Sequence, residues 1–515
     1  MNDIFLRQRG LVNQNRLSEL KILVSGSSGG VSDLVVLLSQ LGIGQQSGCI
    51  GIVKPQHPPN SVFWKLAYPD AKLWSDWERL SPIHRKVFSS TTEVEGDNYD
   101  YHLCLNPSEQ TEKVNLYGFA HGPRAMISRE FLVQKTVSSG HILTPSMRVT
   151  VAATMLQQLL RDVDCMAQMK ISDAWFTVTC RVESTDLEEV RSHIFGIDGT
   201  LVDVQLTSDG NATLARYRPS QQPDQNVFDF LSRTMQPSQT GLSVSEDIGL
   251  IAWHEPNHPL DSSWELVGHE LVILGAGGLG SWSAPLLFEQ MKEGTFHIVD
   301  GDPEIELHNL NRQVLYNEQH LGCVKASTAS ERLRELNPLN QVKSYFEYLN
   351  PHHLISESLT DENDDFDDLG LEPSPLGDAL KSSRVYLACL DNMIARTILN
   401  EAAINNGSLM INGATEAYHG VVETFDQNGC MVCRYGRESA RSTEVISCTE
   451  EGIRPIASIV TSTAWVGAMM ALMAIINLHP DTNLPNFRAT WYEGELEKSS
   501  PTQPPWFDEP CKYHI

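Results

Sequence analysis

Two distant stretches of this chain follow one plan. Leu20-Lys-Ile-Leu-Val-Ser-Gly-Ser-Ser-Gly-Gly30 runs apolar and turns on glycine and serine; an apolar stretch at 35–41 and a second apolar run, Cys49-Ile-Gly-Ile-Val53, follow. Glu270-Leu-Val-Ile-Leu-Gly-Ala-Gly-Gly-Leu-Gly280 does the same, with an apolar helix predicted through Leu287 and then Phe296-His-Ile-Val-Asp300. Near-continuous apolar runs around a glycine turn and a helix are the mark of parallel strands buried on both faces. A chain that opens both halves this way is restricted to α/β sheets. Each half also closes alike. Thr144-Pro145 precedes an apolar helix at 149–160, and Arg454-Pro455 precedes one that starts at Ile459.

At 515 residues, the chain has length for about three domains. Its formal net charge of −27 repels phosphate backbones and anionic lipid, so neither nucleic acid nor a membrane is the expected partner. Ten scattered cysteines are not a disulfide scaffold, which makes a reducing cytoplasm the expected setting. The first ten residues mix acid and base and lack a signal peptide's apolar core. Residues 455–478 are uncharged and long enough to cross a bilayer, yet carry Ser458, Thr461, Ser462 and Thr463. A buried core helix is the expectation there.

Between the halves, 169–240 reads differently. A strand at 175–180, a helix at 187–195 and a hairpin over 201–217 suggest a small α+β insert, with a polar linker at 221–245. The acidic cluster at 361–368 reads as a solvated loop.

Gly275-x-Gly277-Gly278-x-Gly280 follows a strand and opens a helix. Glycines there let backbone N–H groups approach phosphate, and the helix N-terminus favours the anion. Many dehydrogenases share that signature, so the residues beyond it matter more. Asp300-Gly-Asp302 ends the next strand, where a carboxylate can take ribose hydroxyls. Asn309-Leu-Asn-Arg312-Gln313 follows, then Lys325, then Asp391-Asn392 just after Val385-Tyr-Leu-Ala-Cys389. An arginine, a lysine and a strand-end aspartate able to hold Mg²⁺ describe nucleoside triphosphate chemistry rather than hydride transfer.

In these residues, and in Gly322-x-x-Lys325, Asn337-Pro338 and Leu390-Asp-Asn-x-x-x-Arg396, the chain resembles the ThiF/MoeB/ubiquitin-activating enzyme superfamily. The resemblance is close over about 265–515 and distant over about 1–165. It implies an α/β fold of two Rossmann-like ThiF-type adenylation domains: 1–168, degenerate; a small α+β domain and linker at 169–240; and 241–515, active, with a zinc-closing tail. It implies that ATP activates the C-terminal carboxylate of a ubiquitin-like protein or a peptide. By position, Asp300, with Asp302, resembles the ribose site. Asn309, Arg312, Gln313 and Lys325 resemble the phosphate-binding set, and Asp391 the Mg²⁺ ligand.

The first half departs from this pattern. Val31 replaces the last glycine, and Lys54, which cannot accept a ribose hydroxyl, stands where Asp300 would be. It resembles the inactive partner of a two-half activating enzyme, paired with the active half as a pseudo-dimer; further self-association is left open. In that family an N-terminal Arg-Gln crosses to the ATP phosphates. Arg7-Gln8 sits at the matching place, with Arg9 as rival.

Cys430-x-x-Cys433 and Cys511-x-x-His514 are two pairs with the spacing of a structural tetrahedral Zn²⁺ site. Cys448, in a Cys-x-x-x-Gly setting, resembles the cysteine that family members use to form a thioester or acyl-disulfide; Cys323 and Cys389 are rivals. The expected activity is therefore adenylation, thioester formation on Cys448 and handover to a ubiquitin-conjugating-type enzyme. The layout is most similar to activating enzymes of bacterial ubiquitin-like conjugation operons, which points to antiviral defence. An antibiotic-type peptide-modifying enzyme, a sulfur-carrier activator and a silent scaffold are the competing readings.

Overall fold

The computed structural model describes residues 4–8, 11–43, 47–53, 55–79, 99–111, 113–121, 124–129, 131, 142–165, 177–182, 199–206, 213–219, 242–245, 250–252, 265–354, 374–427, 429–433, 435, 458–478 and 488–491. Its first sheet is built from β1 (Lys21–Gly26), β2 (Cys49–Ile52), β3 (Tyr101–Leu105), β4 (Leu116–His121), β5 (Arg124–Ser128), β6 (Thr177–Val182), β7 (Gly199–Leu206), β8 (Thr213–Pro219), β9 (Leu242–Ser245) and β10 (Leu250–Ala252). Their order is β2-β1-β3-β4-β5-β10-β9-β6-β8-β7. β1 pairs in parallel with β2 and β3, β3 with β4, and every later pairing is antiparallel.

The second half contains β11 (Leu266–Val267), β12 (Glu270–Leu274), β13 (Met291–Lys292), β14 (Thr295–Val299), β15 (Gln341–Tyr345), β16 (Val385–Ala388), β17 (Leu409–Glu416), β18 (His419–Phe425) and β19 (Arg488–Trp491). β11 pairs only with β13; the rest form a sheet in the order β15-β14-β12-β16-β17-β18-β19, parallel until β18 and β19 turn antiparallel. Hence β2-β1-β3-β4 and β14-β12-β16-β17 follow one topology, the duplication seen in the sequence. Leu271, Val272, Ile273 and Leu274 of β12 are all buried, as a strand covered on both faces requires.

The expected insert hairpin is present as β7 and β8, but its strands extend the first sheet instead of standing apart. β9 and β10, which lie after residue 240, also pair within that first sheet and link the hairpin to β5. The expected helix at 187–195 and the acidic cluster at 361–368 lie outside the described residues.

Nine helices of the described residues frame the sheets: α1 (Gln14–Glu19), α2 (Ser28–Leu41), α3 (Val62–Ala67), α4 (Thr144–Asp162), α5 (Gly280–Gln290), α6 (Lys325–Leu336), α7 (Pro375–Ser382), α8 (Met393–Asn406) and α9 (Val460–Leu478). α9 is the uncharged stretch long enough for a bilayer. It packs against α4 and α5, and 94% of its most apolar window is buried. Its polar residues are satisfied locally or across the halves: Thr461 Oγ1 donates to Gln157 Oε1 of α4 at 2.6 Å. The halves also meet where Arg332 Nη2 donates to the Leu66 carbonyl at 2.6 Å and the Phe63 and Trp282 rings lie 4.5 Å apart. Residues of both halves therefore share one core.

Candidate active site

The site begins at the end of β12. Gly275 has φ +93°, and a Cβ there would lie 2.3 Å from the Cys389 carbonyl oxygen. Only glycine combines that backbone with so close an approach. Four residues then pass before α5 begins at Gly280, and its N-cap, Leu279, offers no side-chain cap. That loop faces the basic turn: a Cβ on Gly277 would lie 3.6 Å from Gln313 Nε2, and one on Gly278 3.9 Å from Arg312 Nε.

Asp300 fastens this loop. Its Oδ2 accepts the Ala276 N–H at 2.7 Å, and its Oδ1 accepts the Asp302 N–H at 2.9 Å. Burial pushes this carboxyl up, against the pull of Lys325. Asp300 thus holds backbone amides with both oxygens, a positioning task the sequence reading did not include. Asp302 faces outward from it, paired with Lys325 Nζ, while the Tyr348 hydroxyl donates to its Oδ1 at 3.3 Å.

The turn carrying Asn309, Arg312 and Gln313 is buried. Arg312 Nη1 donates to the His308 carbonyl at 2.7 Å and to Asn311 Oδ1 at 3.1 Å, and Trp282 Nε1 clamps the Arg312 carbonyl at 2.9 Å. Asn309 Nδ2, Gln313 Oε1 and His308 Nε2 are buried without a hydrogen-bond partner among the described residues. Each such atom costs about 1–3 kcal/mol unless something polar reaches it. Phosphate oxygens would accept from Asn309 Nδ2 and from an Nε2–H on His308, and a nucleotide hydroxyl would donate to Gln313 Oε1, so these groups fit a nucleotide.

Arg7 joins from the other half. It lies in the single turn Leu6–Gln8, its carbonyl accepts the Ser458 N–H at 2.8 Å, and its side chain is buried. Burial first, then Arg7, Arg312 and Lys325, push His308 down to about 4. Three cations singled out in the sequence therefore act on one imidazole. Arg9 lies outside the described residues.

Asp391 is exposed on the loop after β16, next to Asn392, whose side chain caps α8 by accepting the Ala395 N–H at 2.8 Å. Buried Arg396 anchors this loop, donating to Leu390 O, to Gly413 O at 2.9 Å and to Asn412 Oδ1 at 2.6 Å. Burial first, then Asp302, Asp300 and Asp391, raise the Tyr348 phenol. Tyr348, His308 and Tyr316, whose hydroxyl donates to Ala276 O at 2.9 Å, were not found from sequence. No local pattern marks a side chain that matters only through a distant neighbour.

The first half repeats the glycine corner and then closes it. Gly26 has φ +118°, and its Cβ would fall 1.9 Å from the Leu105 carbonyl oxygen. But α2 starts two residues later, and Ser27 Oγ caps it by accepting the Gly30 N–H at 3.1 Å. The Arg148 guanidinium lies 2.8 Å from where a Gly29 Cβ would stand and pairs with buried Asp33, which Ser61 also bonds. Arg148, Asp33 and Ser61 thus crowd this corner of the first half. Lys54 lies outside the described residues.

Cys389 is a packed thiol, 3.7 Å from Ser283 Oγ and pushed up to about 12 by burial. Cys323 is exposed beside the site. Cys448 lies outside the described residues, as do Cys511 and His514. Cys430 and Cys433 have their sulfurs 3.7 Å apart. Two thiolates on a tetrahedral zinc at about 2.3 Å each would be about 3.8 Å apart, so this pair suits half of such a site.

Residues 261–499 match the ThiF family. The chain carries a ThiF-family domain. The adenylyltransferase and sulfurtransferase UBA4 of Kluyveromyces lactis is 30% identical over 215 residues, covering 41% of this chain and 43% of that protein. The sulfur carrier protein adenylyltransferase of Thermus thermophilus is 29% identical over 214 residues, covering 40% of this chain and 67% of that protein. The chain thus spans less than half of the first relative. The solved structure of E. coli MccB with ATP is 20% identical, covers 44% of this chain and 60% of that one, and has a TM-score of 0.31, too slight a likeness to carry more.

Proposed function

We propose that this protein uses ATP to adenylate the C-terminal carboxylate of a ubiquitin-like protein. The observation that carries this reading is an uncapped glycine loop that faces Gln313 and Arg312, beside the unpartnered Asn309 and Gln313 atoms and a half-buried His308 that feels Arg7, Arg312 and Lys325 together. The substrate carboxylate oxygen attacks the α-phosphorus, and the bond to pyrophosphate breaks. The three cations stabilise the charge that gathers on the departing phosphates. Mg²⁺ at Asp391 would neutralise part of the same charge. The names of the relatives, both adenylyltransferases, support the first half of this chemistry.

In the second step the Cys448 thiolate attacks the acyl carbon, AMP leaves, and the thioester passes to a conjugating-type enzyme. A sulfur-carrier substrate is the second reading, favoured by what those relatives are named for. ATP–pyrophosphate exchange with candidate ubiquitin-like proteins tests the adenylation. Cys448→Ala should keep the exchange and lose the reductant-sensitive adduct on a gel. An adduct that survives in the alanine protein moves the nucleophile elsewhere, with exposed Cys323 next to test. No exchange with any carboxylate substrate would overturn the proposal.

A structural zinc held by Cys430, Cys433, Cys511 and His514 would tie the tail to the second half. One zinc per chain is the expected elemental analysis, and Cys430→Ser should remove it and lower the unfolding temperature. Metal-free protein of unchanged stability would count against this site.

A further inference from the structure

We propose that His308 is a phosphate-contacting residue that enters the cycle as neutral imidazole and takes a proton from solvent as nucleotide binds. This rests on the adenylation reading above and deepens it. His308 feels three cations at once, and its Nε2 atom is buried without a hydrogen bond among the described residues. The groups that face it come from every neighbouring element. Arg7 comes from the N-terminal turn, Arg312 from the next turn of its own loop, and Lys325 from the start of α6, tied to Asp302. Glu306 Oε2 lies 3.4 Å from Nε2, on a half-exposed side chain.

In the free protein burial, and after it the three cations, push the imidazole down to about 4, which favours the neutral form. A bound polyphosphate brings several negative charges into the same pocket. It cancels the cationic field and places oxygens where Nε2–H can donate. Both effects favour imidazolium. The bookkeeping is one proton from water onto Nε2, with no other bond changed. The result is a fourth cation that exists only while the phosphates are present. The sign follows from linkage: nucleotide affinity falls as pH rises, by up to about tenfold per pH unit for a fully linked proton.

Calorimetric titration with a non-hydrolysable ATP analogue tests this, at pH near 6 in two buffers of different ionisation enthalpy. The proton that the nucleotide itself exchanges is common to all proteins compared and cancels in their difference. Wild-type protein should take up more protons than His308→Gln, whose affinity should also depend less on pH between 6 and 8. Glu306→Gln, a change at a half-exposed side chain, should also lessen the uptake, because it removes the carboxylate beside Nε2. It keeps the test open if His308→Gln misfolds. Binding with equal proton uptake in wild type and both variants overturns the role of His308 alone. Absence of analogue binding to the wild-type protein overturns the adenylation reading and this inference with it.

Discussion

Lys325→Ala should lower ATP–pyrophosphate exchange about 100-fold or more, the usual effect of removing one preorganised charge from a transition state. The fold should survive. The Lys325 side chain is 8% exposed and pairs with Asp302, which is 30% exposed and keeps the Tyr348 hydroxyl as a partner. Breaking a mostly buried ion pair costs more than a surface one, on the order of a few kcal/mol, so exchange is compared at a temperature where the variant remains folded. Lys325 also opens α6 without a capping side chain, so its removal leaves the helix start as it was. Exchange at the wild-type rate would remove Lys325 from the phosphate site. The parallel change at Arg7 has to be a point substitution. Deleting the first nine residues would also remove buried Phe5 and the bond from Gln8 Nε2 to the Leu41 carbonyl at 2.9 Å.

The duplicated unit was legible because its signal is local. Apolar runs, glycine positions and helix starts all fall within about thirty residues of each other, the length of one βαβ unit. The same holds for Asn309 through Gln313, where one buried turn supplies three site residues. Arg7 entered the candidate site only through the resemblance, since nothing local says which way an N-terminal arginine points. Arg148 shows the limit most plainly. It reads as a charge early in an apolar helix, yet it fills the first half's glycine corner through Asp33, which lies 115 positions away in sequence. The glycine run of the first half looked degenerate from its missing last glycine. The structure adds an early start of α2, the Ser27 cap and the Arg148–Asp33 pair standing against Gly29. Likewise β9 and β10 could not be assigned to the first sheet from their own sequences, because a strand's partner is set by tertiary packing and not by its own alternation.

A matched pair of substitutions separates fold from function in the two glycine corners. Gly26→Ala and Gly275→Ala each put a Cβ on backbone of positive φ, +118° and +93°, and each drives it into a carbonyl oxygen, 1.9 Å from Leu105 O and 2.3 Å from Cys389 O. Both should cost at least about 2 kcal/mol, from left-handed strain and the forced shift of a neighbouring strand end. Differential scanning calorimetry should show both unfolding roughly 5 °C or more below wild type. At a temperature where both proteins remain folded, their activities should diverge. Gly275→Ala displaces the loop whose Ala276 N–H is held by Asp300 and whose glycines face Arg312 and Gln313, so exchange should fall with nucleotide affinity. Gly26→Ala strains a corner already filled by Arg148 and capped by Ser27, so exchange per folded molecule should stay near wild type. If the folded Gly26→Ala protein loses exchange to the same degree, the first half acts in the reaction through more than Arg7, and its corner is not a closed relic.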